Sequence, residues 1–315
     1  MSTATDPNPL TPVEGPRRLT IVGKEGVSYS RGGRIVLHTF LITVALVWLV
    51  PIVAAIYSSF RFFESDTNVN GVFSWPEAIT LENYRRAWSV GSIGNHFGKT
   101  AFIVLPALFL ILFFSSMVAF ACTRFSWRFN VMFLVIFTAG NLMPQQVIFQ
   151  PLFQIYKRIP LPDLLSDTNT GTLLGTKIGV ILIHVAFQTG FCTFVLSNYM
   201  KTIPKEIGEA AAVDGASVMR QYFQVILPLT RPALAALGTL QFTWLYNDFF
   251  WGAVLLNQGA ERPITSSIAV LNGQYASNYN LIAAASVMIA LPTLIVYLIL
   301  QKQFISGLTL GASKG

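Results

Sequence analysis

The sequence predicts an all-α integral membrane protein with six transmembrane helices, and three observations predict it. Of its 315 residues, 53% are hydrophobic and 11% charged, with a mean hydropathy of +0.57. Soluble domains carry roughly 25% charged residues, so water is not the main solvent of this chain. Six apolar runs each exceed the ~20 residues needed to cross ~30 Å of hydrocarbon. The net charge of +7 comes from Lys and Arg flanking those runs, the pattern of the positive-inside rule rather than of nucleic-acid binding.

Residues 1–33 are rich in Pro, Thr, Ser and Gly, show no periodicity, and read as a disordered tail. The tail is too long for the n-region of a signal peptide. The apolar run that follows, Ile35 to Tyr57, is long enough to span, so it reads as a retained first transmembrane helix within 34–60. Residues 61–96 form an external segment with Trp75-Pro76 and a helical stretch at Leu81-Glu82-Asn83-Tyr84, which Thr80 is placed to cap. The core, 97–302, holds five further spans near 97–122, 129–153, 176–200, 232–256 and 281–302, and a tail, 303–315, closes the chain.

Six spans put both termini on one side of the membrane. Thirteen basic residues then fall on the side of the termini and eight on the other. Arg124 and Arg128 in a short loop are strong determinants. The termini and the loop at 203–232 are therefore expected in the cytosol.

Several classes of chemistry are excluded. Cys122 and Cys192 both lie in apolar runs, so there is no disulfide framework. His38, His96 and His184 have no metal-ligand spacing, and no metal site is expected. Gly94-Asn95-His96-Phe97-Gly98-Lys99-Thr100 resembles a phosphate loop but has three residues between its glycines where four are needed, and no strand precedes it. An intramembrane enzyme needs paired ionisable groups. Asp248 is the one carboxylate inside a span, and His184, on another helix, is the one histidine deep enough to join it. No catalytic residue is assigned.

The most punctuated stretch is Ile203 to Pro232. Pro204 suits the first turn of a helix. Lys205 and Glu209 sit one turn apart, and Ala210-Ala211-Ala212 leave a smooth face. Asp214-Gly215 interrupts that helix, since Gly tolerates a left-handed conformation. Ser217 can cap a second helix that ends before Pro228. An ordinary amphipathic connector is the plainer reading of such a stretch.

Here the chain resembles a known family. Glu209-Ala210-Ala211, three residues, Gly215, nine residues and Val225-Ile226-Leu227-Pro228 resemble the EAA motif of ABC importer permeases, with Val225 where Ile is usual. Further pieces resemble the carbohydrate branch, in its maltose-type second permease. These are Tyr57-Ser58-Ser59-Phe60, Leu81-Glu82-Asn83-Tyr84, Met143-Pro144 and the closing Gly307-Leu308-Thr309-Leu310-Gly311-Ala312-Ser313-Lys314-Gly315. The resemblance covers residues 34–315, and the external stretch Ile159 to Thr176 is longer than is usual.

The resemblance implies the type I ABC importer permease fold with a cytoplasmic coupling helix, which docks in a groove of a cytosolic ATPase subunit. Glu209, Ala210, Ala211, Gly215, Leu227 and Pro228 would be the docking residues. It implies a second homologous permease subunit, two cytoplasmic ATPase subunits and an external solute-binding protein, lipid-anchored or periplasmic. It also implies residence in a bacterial plasma (inner) membrane among lipid, with no nucleic acid. The chain itself would be no enzyme and would bind no cofactor, ATP and Mg being used by its partners. The expected cargo is a sugar, a disaccharide or oligosaccharide. Two alternatives stay open: an ABC permease for a non-sugar solute such as glycerol phosphate, polyamine or peptide, and an ion-coupled secondary carrier. Carriers often show inverted repeats and several intramembrane charges.

Polar groups within spans are costly and usually face a cavity or another helix. Gln146, Gln150 and Gln154 recur every fourth residue, beside Asn141, Gln145, Pro144 and Pro151. Amide side chains donate to and accept from hydroxyls; contact between helices is the alternative. His184 and Gln188 are one turn apart, before Thr189-Gly190, and an interhelical bond would equally explain them. Trp244, Tyr246, Asn247, Asp248, Phe249, Phe250 and Trp251 cluster and resemble the Trp-Asn-Asp/Glu-Phe segment of the family's fifth helix. On a continuous helix Asp248 lies about 26 Å beyond Arg231. That places it near the outer interface, where an aromatic belt is expected anyway. The candidate pathway residues are thus Gln146, Gln150, His184, Gln188, Asn247 and Asp248.

Overall fold

A computed structural model describes residues 31–61, 78–125, 128–166, 171–256, 261–268 and 278–312, and every regular element among them is helical. The chain divides into two units, Met1–Ile52 and Val53–Gly315. Helix α1 (Arg31–Ser59) opens in the first and closes in the second. It begins inside the segment read as a tail; residues 1–30 lie outside the described residues, as does Trp75-Pro76.

The second unit continues with α2 (Glu82–Val90), α3 (Ile93–Arg124), α4 (Asn130–Leu142), α5 (Gln145–Arg158) and α6 (Lys177–Met200). Then come α7 (Lys205–Val213), α8 (Val218–Leu229), α9 (Arg231–Tyr246), α10 (Phe250–Leu255) and α11 (Tyr279–Ala312). Four of the described helices are long and apolar enough to cross a membrane, and counting the bent pairs α4 with α5 and α8 with α9 as one span each gives up to six.

Two expected spans are not continuous. The third is split at Met143-Pro144 into α4 and α5, which lie at 92°. Met143 is extended, with φ −79° and ψ 128°, because the Pro144 ring disfavours helical backbone before it. The fifth is interrupted at Asn247-Asp248-Phe249, between α9 and α10. Conversely, α11 runs on to Ala312, so most of the expected tail 303–315 continues the last helix.

The second unit is built on α3 and α6, its most extensive helix pair. Both bury small residues: Ala107, Ser115, Ser116 and Ala119 on α3, and Gly190, Cys192, Thr193 and Ser197 on α6. In lipid, small side chains let helix backbones approach and gain dispersion contact. The hydroxyls of Ser115, Thr189 and Ser197 turn back to carbonyls of their own helices, so they do not enter the interface unsatisfied.

Two segments that carry the family resemblance meet in one corner. Asn83, 4% exposed, donates to the carbonyls of Ser59 and Arg61 at 3.0 and 2.7 Å. The Tyr84 and Ser59 hydroxyls lie 2.6 Å apart, and the Phe60 and Tyr84 rings 5.2 Å. Ser58 donates to Asn280 of α11 at 2.8 Å. Thr80 accepts the N–H of Glu82, but the N-cap position of α2 falls on Leu81, which makes no side-chain cap bond, so Thr80 is not the cap expected from the sequence.

Candidate functional site

A cavity of about 620 Å³ opens between α4, α5, α6 and α9, lined by Thr138, Gln145, His184, Gln188, Phe191, Thr243, Trp244, Asn247 and Asp248. The break after α9 builds its polar end. At that break the Asp248 carboxylate accepts the N–H groups of Trp251 (3.5 Å) and Gly252 (3.2 Å), the orphan donors that open α10. Its main-chain carbonyl accepts the Thr265 hydroxyl. The side chain is 15% exposed, and Oδ2 stands 3.7 Å from His184 Nε2. Asn247 donates back to the Thr243 carbonyl at 2.9 Å.

Asp248 does not continue the unbroken fifth helix that the sequence led one to expect. The carboxylate sits in the break and faces the cavity. One close approach holds α10 there. A Cβ on Gly252 would lie 2.5 Å from Pro263 Cγ, so a glycine lets the α10 backbone approach the Pro263 ring this closely.

The cavity wall is amphipathic. Phe191 and Trp244 lie with ring centroids 5.7 Å apart and planes at 33°. Beside them, Gln241 donates to Gln188 Oε1 at 3.4 Å. Among the described lining residues there is no Lys or Arg. A ligand with an apolar face and a rim of hydroxyls finds both a ring surface and neutral or anionic acceptors here.

Of the expected pathway residues, the structure brings together His184, Gln188, Asn247 and Asp248. Gln146, Gln150 and Gln154 are exposed on α5 and do not line the cavity; their neighbour Gln145 does. Thr138, Phe191 and Thr243 were not singled out from the sequence. Phe191 follows Gln188 by three residues and His184 by seven, so helical spacing already put it on their face.

On another part of the second unit, α6 leads into the punctuated stretch. α7 has no buried residue. Pro204 stands just before its first turn, with φ −52° and ψ 138°, rather than inside it. Gly215 is left-handed, at φ 78°. Its N–H reaches the carbonyl of Ala212 (3.0 Å), and that of Ala216 reaches Ala211 (2.9 Å). That is a Schellman closure, which satisfies the last carbonyls of α7. Ser217 then accepts the N–H of Arg220 and starts α8.

The second helix does not stop before Pro228. Gln221–Ile226 winds as a π turn in which the Leu227 N–H reaches Tyr222 O, five residues back. This wider turn accommodates the Pro228 ring, which in a regular helix strikes the carbonyl four residues back. Glu209, Ala210 and Gly215 are exposed, and Ala211, Leu227 and Pro228 half-buried. Ile207, Val213, Val218 and Met219 also show apolar surface, Val213 at 88%.

A third polar group lies at the opposite end of α3 and α6. Glu261 bridges Lys177 Nζ (2.7 Å) and Lys99 Nζ (3.4 Å). The hydrogen bond from Lys177, more than its charge or that of Lys99, holds this carboxyl below its usual range. His96 Nδ1 lies 2.7 Å from the Arg262 carbonyl, and Thr100 accepts the Ile264 N–H. Residues 261–264 are thereby fastened across the ends of both helices.

Residues 111–306 match the family described as binding-protein-dependent transport system inner membrane component. The chain is 30% identical over 276 residues to the diacetylchitobiose uptake system permease of Streptomyces coelicolor, covering 87% of each chain. It is 30% identical over 242 residues to the melibiose/raffinose/stachyose import permease of Bacillus subtilis, covering 76% of this chain and 83% of that one. Among solved structures, a chain of a bacterial ABC transporter involved in alginate import has the same fold. It superposes with a TM-score of 0.70 at 23% identity, over 88% of this chain and 99% of the other.

Proposed function

Because this chain belongs to the family of inner membrane components of binding-protein-dependent transport systems, we propose that it is a membrane-spanning permease subunit of an ATP-driven sugar importer. Its relatives named for diacetylchitobiose and for melibiose, raffinose and stachyose support a disaccharide or oligosaccharide as cargo. In this reading an external solute-binding protein delivers the sugar, a second permease completes the pathway, and two cytosolic ATPase subunits hydrolyse ATP with Mg. The chain itself performs no hydrolysis and needs no cofactor. The bias of thirteen basic residues against eight puts the termini and the α7–α8 stretch in the cytosol, where an ATPase subunit can reach them.

The observation that carries the reading is the α7–α8 pair. Its nine-residue α7 adds no buried residue to the core. It is nonetheless stiffened by a Schellman closure and a Ser cap. A rigid, small-residue face with exposed Ile207, Val213 and Met219 suits a groove on a partner. ATP-driven closure of the ATPase dimer would carry this pair with it and rock the spans between outward-open and inward-open states. The cavity at His184, Gln188, Asn247 and Asp248 is the chain's share of the sugar pathway, with Phe191 and Trp244 as a stacking wall.

Proteoliposomes holding the complete complex test this reading. Uptake of a labelled disaccharide should require ATP on the α7–α8 side together with the binding protein. Uptake that persists without ATP and collapses when ion gradients are dissipated assigns the chain to secondary carriers instead.

A further inference from the structure

On the reading that α7–α8 docks an ATPase subunit, we propose that Arg124 and Tyr222 are positioning residues that pass the movement of the docking stretch to α3. Between the last turn of α6 and the start of α9, the stretch is fastened to α3 at two places. At one, the Arg124 guanidinium reaches three carbonyls where α6 ends and α7 begins: Nη2 to Met200 and Ile203 at 3.3 Å, and Nη1 to Pro204 at 3.5 Å. Met200 closes α6, and its carbonyl also accepts the Ile203 N–H; Ile203 and Pro204 lie in the link to α7, and a cation is favoured beside a helix C-terminus.

At the other place Tyr222, 2% exposed, projects from the π turn of α8. Its hydroxyl lies 2.7 Å from that of Ser116, and its ring lies 5.3 Å from Phe120. Ser116 can place its single proton on the Phe113 carbonyl, 2.9 Å away. With that proton on Phe113 the Tyr222 hydroxyl donates to Ser116 Oγ; with it turned to Tyr222 the direction reverses and the bond persists.

The two ties stand eight residues apart on α3, about 12 Å along its axis. One tie would leave a pivot; two fix direction as well as position. The remaining buried side chains of the stretch are Ile203 and Ile226, which are apolar, and Thr230, whose hydroxyl turns back to the Ile226 carbonyl; apolar contacts set proximity without fixing register. Directed hydrogen bonds in a low-dielectric setting supply that register. Tyr199 of α6 donates to the Leu229 carbonyl at 3.5 Å and ties the end of the stretch to its own base. Its polar grips on α3 are those of Arg124 and Tyr222.

The test uses the complete importer in proteoliposomes and reads sugar taken up per ATP hydrolysed, beside co-purification of the ATPase subunit. Tyr222→Phe keeps the ring and removes the hydroxyl. Arg124→Lys keeps the charge and removes the fork. Each should lower the ratio about threefold or more, the scale on which coupling residues act, while the ATPase subunit still co-purifies. Ser116→Ala added to Tyr222→Phe should lower it no further, because both remove the same bond. An unchanged ratio in both single variants, or uptake and hydrolysis falling in parallel, overturns the proposal. Failure of the wild-type chain to hold an ATPase subunit would instead overturn the docking reading beneath it.

Discussion

The Asp248 carboxylate faces two ways, towards the opening N–H groups of α10 and towards the cavity and His184. Asn at this position keeps one acceptor and loses the charge. Asp248→Asn should leave the complex assembled and lower sugar uptake about tenfold, the value of a lost charge-assisted hydrogen bond. Unchanged uptake across several sugars would remove the side chain from the pathway. His184 and Asp248 each stood out in the sequence as ionisable groups in apolar runs. Their pairing did not, because no local spacing encodes a contact between residues 64 positions apart on different helices. The break at Asn247-Asp248-Phe249 was equally silent. It contains neither Pro nor Gly, and it is held by tertiary bonds such as that from Thr265, which outweigh helix propensity.

Among elements, the α7–α8 pair was the most legible, since its punctuation is local. Gly215 and Ser217 do in the structure what their residue types predict. The two prolines were harder. Pro204 proved to precede the helix, and Pro228 sits inside one, because a π turn relieves the clash that the sequence rule assumes. Gly215→Val forces a β-branched residue to φ 78°, at a cost of roughly 1–2 kcal/mol. The bundle has little stake in that residue, which is exposed. Gly215→Val should therefore insert normally and fail to retain an ATPase subunit on purification. Retention at wild-type stoichiometry would show that the closure after α7 is not part of the docking face.

For the molecule as a whole, six apolar stretches were legible because lipid demands long uninterrupted hydrophobicity. The bends within them were not, since a polar–proline break and a continuous span share one composition. Sidedness follows from charge and is directly measurable. In a Cys122→Ala/Cys192→Ala background, Leu164→Cys, at a site 94% exposed, should react with an impermeant maleimide in intact cells. Asp214→Cys should react only after permeabilisation. The reverse pattern would invert the topology.

The 73° bend between α8 and α9 has a mechanical corollary. Twelve residues at 1.5 Å each make α8 an arm about 18 Å long, set almost crosswise to the helix it feeds. An arm at that angle works as a crank: force at its tip arrives as torque, not lift. A tip displacement of about 3 Å over that length swings the attached helix by about 10°. A stroke of that size is thus carried to Asp248, just beyond α9 and about 26 Å from the bend, as a sweep of about 4 Å.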